Sequence, residues 1–161
     1  MGTNDVSALL EDWKFIRAQS KEFLKTLSKD EQFPRPGLNS FTKHLEEMVD
    51  VQRDYVEAIT TGEMVFSHTK DNDDYIGDAT ADSMKSLMDS ADDEMQRVIF
   101  GLKGKQMIMW PEEGEKSLES HLANLCMHEA FHLGQLVAFC YSLNIAIPEP
   151  VINMWALSPQ K

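Results

Sequence analysis

His128 and His132 stand four residues apart in the apolar run NLCMHEAFHLGQLVAF, residues 124–139. On an α-helix, positions i and i+4 lie one above the other on the same face, so two imidazoles at this spacing can reach one ion. A divalent ion with an open position lowers the pKa of a bound water or thiol, or polarises a carbonyl. Chemistry on a small molecule is therefore what this pair suggests. A single inward histidine is more often a core residue bonded to a carbonyl, so the ligand reading needs a third donor and a fold that brings it near.

The run HEAFH also matches the H-E-x-x-H pattern of zinc peptidases, in which the glutamate is the general base and a third ligand follows downstream. That continuation fails here. Gly134 stands where residue 135 should be the glycine, Ala138 occupies the third-histidine position, and the next downstream glutamate, Glu149, sits between Pro148 and Pro150. No strand pattern is present to hold a peptide, which argues against a peptidase.

A third donor requires a second helix. Phe41, His44, Met48, Val51 or Gln52, Tyr55 and Ile59 follow helical steps, which turns His44 inward. On the last long helix, Leu118, His121, Leu125, His128, His132, Leu136 and Phe139 do the same. His44, His128 and His132 can then converge as three imidazoles, the ligand count of a catalytic zinc-like site. His121 lies two turns from His128 and reads as a satisfied or partly exposed histidine, and His68 as a solvated loop residue. Gly134 reads as a close-packing position, Gln135 as a residue near a bound ligand or a structural one, and Glu129 as a hydrogen-bond partner of a neighbouring helix. Arg53 and Tyr55 could join that network or serve as ordinary amphipathic positions.

The elements that must position these residues are four long helical patterns: about Val6 to Leu27, Phe41 to Thr61, a segment capped by Thr80 or Asp82 and running through Leu102, and Ser117 to Leu143. The segments SKDEQFPRPGLNS and FSHTKDNDDYIGDAT are turn-rich connections, GKQMIMWPEEGEKS has room for a short extended piece, and the proline-marked tail cannot extend the last helix. The expectation is an all-α four-helix bundle, one domain over residues 1–161. The ten methionines fall at helical spacing and read as core filler.

Composition limits the partners. Net charge is −12, from 27 acidic against 15 basic residues, which repels a phosphate backbone, so no nucleic-acid partner is expected. No signal peptide or membrane-length apolar run is present, which leads to the expectation of a cytoplasmic protein without a membrane partner. Cys126 and Cys140 would lie roughly 20 Å apart on one helix, so both should be reduced and buried. The apolar tail residues Val151, Ile152, Met154, Trp155 and Leu157 must fold back or meet another chain, and a homodimer is expected.

KHLEEMVDVQRDYVEAITTGEMVF, residues 43–66, together with HEAFHLGQL, residues 128–136, resembles the DinB/YfiT-like family over nearly the whole chain. The resemblance implies an up-down-down-up bundle holding a divalent ion, nickel or zinc, by three histidines, here His44, His128 and His132. It also implies activities such as joining low-molecular-weight thiols to electrophiles, or isomerising or hydrolysing small molecules. Two classes stay open: a metal-dependent enzyme on a small molecule, of thiol S-transferase or hydrolase type, and a non-catalytic, stress-associated metal-binding bundle.

Overall fold

A computed structural model describes residues 3–29 and 31–158. The first helix, α1 (Thr3–Glu22), tightens into a 3-10 stretch at Phe23–Lys29 in place of the single helix expected to Leu27. There the Thr26 hydroxyl donates to the Phe23 carbonyl at 2.6 Å, drawing the backbone toward three-residue spacing. Helix α2 (Phe41–Thr61) starts at Ser40, whose hydroxyl accepts from the Lys43 amide, and stops at Gly62 with φ 81°, a left-handed turn that glycine enters without steric cost. Helix α3 (Ala81–Gly101) is capped by Thr80, and α4 (Leu118–Leu143) by Ser117.

Between α3 and α4 the chain forms an antiparallel hairpin, β1 (Met107–Trp110) and β2 (Gly114–Ser117). Only one extended piece was foreseen in this connection. Four residues that bury Ile108 and Trp110 while exposing Met107 and Met109 are too short an alternation to stand out in the sequence. Hydrogen bonds from the Met64 amide to the Met109 carbonyl and from the Met109 amide to the Gly62 carbonyl tie the hairpin to the end of α2.

Two core clusters set the helix directions. One joins Leu10 and Trp13 of α1, Tyr55 and Ile59 late in α2, Met95 and Ile99 late in α3, and Leu118 and Leu122 early in α4. The other joins Phe23, Phe41 and Leu45 early in α2, Met84 and Met88 early in α3, and Leu136 and Phe139 late in α4. Helices α1 and α4 therefore run one way, α2 and α3 the other, in an up-down-down-up bundle. Met48, Met64, Met84, Met88 and Met95 are buried, as filler should be, whereas Met107, Met109, Met127 and Met154 are exposed, so the expectation that all ten methionines fill the core is corrected. Cys126 and Cys140 are buried free thiols.

The long connection after α2 is organised by buried Asp54. Its carboxylate accepts from the Ser67, His68 and Thr69 amides at 3.0, 2.8 and 3.0 Å and from the Thr69 hydroxyl at 2.6 Å. The tail forms a short helix, α5 (Glu149–Trp155), that folds back on the bundle. Val151 is fully buried, and the Trp155 ring meets Phe15 edge-on with centroids 5.9 Å apart. No described helix is long and apolar enough to cross a membrane.

Candidate metal centre

Because α2 and α4 pack antiparallel, the first turn of α2 comes beside the third and fourth turns of α4, and His44 meets His132 across the interface. The His44 and His132 Nδ1 atoms are 2.8 Å apart. On its other side, His132 Nε2 lies 3.2 Å from His128 Nε2 and 2.8 Å from Glu47 Oε2, while His128 Nε2 lies 3.2 Å from Glu47 Oε1. Two imidazoles and one carboxylate thus converge at a point, with His44 behind His132.

His44 is fully buried and its ring packs edge-on against Phe139 at 5.1 Å. His132 and Glu47 are nearly buried, whereas the His128 side chain is 25% exposed and forms the solvent side of the cluster.

Glu47, His128 and His132 offer ligand atoms all within 4.8 Å of one another, so the cluster could hold a metal ion. Two nitrogens bound tetrahedrally at about 2.0–2.1 Å stand about 3.3 Å apart, close to the 3.2 Å between the two Nε2 atoms. In the metal-free arrangement a proton on each Nε2 can satisfy the carboxylate, and a cation would replace those protons. The residues fit a divalent ion of the kind that imidazole and carboxylate ligate. His128 Nδ1 is buried without a hydrogen-bond partner among the described residues, so this ring is held only through its Nε2 side.

The electrostatics follow from burial. Desolvation pushes the His44 pKa down to about 3, with repulsion from His132 and Arg35 acting the same way and Glu47 and the Leu38 carbonyl opposing. Burial alone would raise the Glu47 carboxyl, but the hydrogen bonds and charge of His128 and His132 outweigh it and hold the group at about 2. The cluster therefore rests on an ionised carboxylate facing imidazoles.

A pH dependence follows. The folded pKa of His44 lies below its ordinary 6.5, so between about 6.5 and 3 the unfolded chain binds more protons and stability falls as pH falls. The metal-free protein is expected to lose about 2 kcal/mol from His44 between pH 7 and pH 5, roughly 4–8 °C in melting temperature for a chain of this size. Desolvation also lowers the His121 pKa and adds to the loss. Calorimetry of the chelated protein at the two pH values checks this; equal melting temperatures would reject it.

The other histidines have different roles. His121 accepts from Trp110 Nε1 at 3.1 Å through Nδ1, and its Nε2 lies 2.9 Å from the Tyr55 carbonyl, so it is a satisfied core residue. His68 lies 3.3 Å from Glu57 on the exposed loop. These two with Asp54 could form a second ligand group, but the Asp54 carboxylate is already committed to the loop amides.

Glu129 turns away from the centre into a buried network. Arg17 Nη2 stands 3.4 Å from Glu129 Oε2 and 2.7 Å from Gln52 Oε1, Arg17 Nε lies 3.4 Å from Asp92, and the guanidinium covers the Trp13 ring at 4.6 Å. Arg53 and Tyr55 stay outside it: Arg53 pairs with Asp50, and Tyr55 packs against Trp110 and His121. Gly134 corrects an expectation. It is exposed, and nothing lies within 4 Å of where a Cβ would stand, so no helix of its own chain packs closely there.

Sequence reasoning missed Glu47 and Arg17. Glu47 follows His44 by three residues, one helical turn, and that spacing was the available signal; the apolar stripe drew attention to Met48 instead. Arg17 carried no signal, because only the tertiary fold surrounds it with Gln52, Asp92 and Glu129.

No curated protein matches the chain. The model of the DinB superfamily matches residues 6–136, a span that takes in all three histidines and Glu47 and most of the bundle. With its fold and the extent of that match, the chain belongs to the DinB superfamily.

Proposed function

We propose that this chain is a divalent-metal protein of the cytoplasm, loaded with nickel or zinc, that acts on a small molecule as a thiol S-transferase. The observation that carries the proposal is the convergence of His128 Nε2, His132 Nε2 and the Glu47 carboxylate, with one side facing solvent. In this reading His128, His132 and Glu47 hold the ion and His44 orients His132 through its Nδ1. A second reading gives the third place to His44, as the family resemblance implies, and requires the His132 ring to turn, because His44 meets its Nδ1 and not the Nε2 that faces His128 and Glu47.

A divalent ion held here would lower the pKa of a bound thiol or water near neutral pH. The chain's own residues supply the rest. Glu47 stays ionised and offsets the cation's charge, while buried His44 and Phe139 keep the inner side dry. Access is from the His128 side. The native cysteines are poor nucleophiles, because burial pushes both thiols up to about 11, so a reacting thiol must come from outside. The thiol would give up its proton as its sulfur bonds to carbon of a small electrophile, and the electron pair of the bond that breaks at that carbon would go to the departing atom, which takes up a proton. Hydrolysis would use the same site with water and no added thiol.

Purified protein is expected to contain about one divalent ion per chain by elemental analysis. His44→Ala and Glu47→Gln separate the two ligand sets: full retention in the first with loss in the second selects Glu47, and the reverse selects three imidazoles. Chelation is expected to lower the melting temperature while the helical circular dichroism persists, because the apolar clusters do not depend on the ion. Unfolding on chelation would indicate a structural ion and a non-catalytic bundle. Wild-type protein tested with a panel of low-molecular-weight thiols and electrophiles is expected to accelerate conjugation; thiol-independent turnover of an ester or amide would move the assignment to hydrolysis.

A further inference from the structure

Helix α1 packs on α4 and α3 on α2, while α1 and α3 touch at few points, and a cleft of about 400 Å³ opens between them. That volume is in the range of small-molecule sites. Trp13, Arg17 and Lys21 stand four residues apart on α1, so one face of the helix presents all three to the cleft. Asp89, Asp92 and Asp93 face them from α3 at helical steps. None of His44, Glu47, His128 and His132 lines this cleft.

Two buried donors of the α1 wall have nothing to bond. Trp13 and Arg17 are each 2% exposed, and neither Trp13 Nε1 nor Arg17 Nη1 meets an acceptor among the described residues. The rest of the guanidinium is engaged, since Nη2 donates to Gln52 and faces Glu129 while Nε faces Asp92. The guanidinium lies over the Trp13 ring at 4.6 Å, so the two open donors belong to groups in contact. A buried N–H without an acceptor forfeits the hydrogen bond it made to water in the unfolded chain, and native folds leave few such groups. A ligand that brings an acceptor into the cleft restores what both have lost.

The charges of the cleft select the ligand. Lys21 lies 2.7 Å from both Asp89 and Asp92, so these three charges are paired. Asp93 is exposed and has no cation beside it among the described residues. An anion alone would have to pass three aspartates of a chain of net charge −12, which repels it. A cation alone would bring nothing to the two donors. A molecule with a carboxylate and an ammonium answers both needs and is neutral overall.

We propose that the cleft between α1 and α3 binds a small zwitterion of the amino-acid class, its carboxylate accepting from Trp13 Nε1 and Arg17 Nη1 and its ammonium held by Asp93. The bond from the guanidinium to the carboxylate is charge-assisted on both sides and carries most of the affinity. Asp93 at the mouth fixes which end enters first. The site draws on no residue of the metal centre, so it stands whether or not the chain is a thiol transferase.

Titration calorimetry of the full chain with free α- and ω-amino acids, and with acetate and ethylamine as analogues of one charge each, tests the proposal. At least one zwitterion is expected to bind one per chain, and at least tenfold more tightly than either analogue. Trp13→Phe keeps an aromatic ring under the guanidinium but removes the N–H, and is expected to weaken binding about tenfold. Asp93→Asn changes an exposed residue and leaves the fold intact; it is expected to weaken binding as much. Glu94→Gln removes the same charge one residue away, outside the cleft, and is expected to bind as wild type does. Binding is also expected to survive chelation of the metal. The proposal is overturned if no zwitterion binds, if acetate or ethylamine binds as tightly, or if Trp13→Phe and Asp93→Asn both keep wild-type affinity. Loss of binding on chelation overturns it too, by assigning the ligand to the metal centre.

Discussion

His132→Ala, purified and metal-loaded beside wild type, is expected to retain no stoichiometric ion and to conjugate thiol to electrophile only at the uncatalysed rate. His132 is the one residue of the centre that meets the other three: Nδ1 faces His44, and Nε2 faces both His128 and Glu47. Losing it removes a ligand in either ligand set and also releases the contact that holds Glu47 in place. Removing one ligand of three should weaken binding by two orders of magnitude or more, at least about 3 kcal/mol. His121→Ala is the control. It removes an equally buried histidine of the same helix, whose partners are Trp110 and the Tyr55 carbonyl, so it should lower stability yet keep the ion. Metal retained by His132→Ala, or lost equally from both variants, would count against the centre, and an undiminished conjugation rate would remove the thiol-transfer reading.

Arg17→Met is expected to be the most destabilising single substitution of a polar residue in the bundle, by about 3–5 kcal/mol, or about 10 °C in melting temperature. Arg17 is buried where α1, α2, α3 and α4 meet, and it is the cation that faces buried Glu129. Burial pushes the Glu129 carboxyl up and the Arg17 charge pulls it down. Without Arg17 the carboxyl must either stay charged and unpaired or take up a proton. The folded pKa then rises further above the unfolded value, so the penalty is smallest at low pH and grows as pH rises through the folded value. Arg17→Met combined with Glu129→Gln should recover part of the loss, since neither charge is then buried alone. Denaturant unfolding of the two single variants and the double variant at pH 5 and pH 8 measures the coupling. Strictly additive losses with no pH dependence would show that the pair is not coupled.

The helices were legible for physical reasons that are local. Ser40, Thr80 and Ser117 cap α2, α3 and α4 because a hydroxyl can accept an amide two or three residues on, and Gly62 ends α2 because it enters the left-handed turn without cost. The inward phase of His44, His121 and His132 was legible in the same way, since helical periodicity is a property of the chain alone. The hairpin at residues 107–117 was only half legible, because its pairing depends on a turn through Glu112 and Gly114 at positive φ and on bonds to the end of α2.

What the amino-acid order determined by itself, then, was the all-α class, the extents of α2, α3 and α4 to within a residue or so, and the spacing of His128 and His132. The tertiary structure alone decided which inward polar residues meet. His121 is on the same stripe as His132, yet the antiparallel packing of α2 on α4 sets it against a backbone carbonyl and Trp110, and sets His132 against His44 and Glu47. Periodicity gives a side chain its direction from its own helix axis. Its partner is set by the register between two helices, which comes from the sum of all their packed apolar contacts and belongs to no single residue.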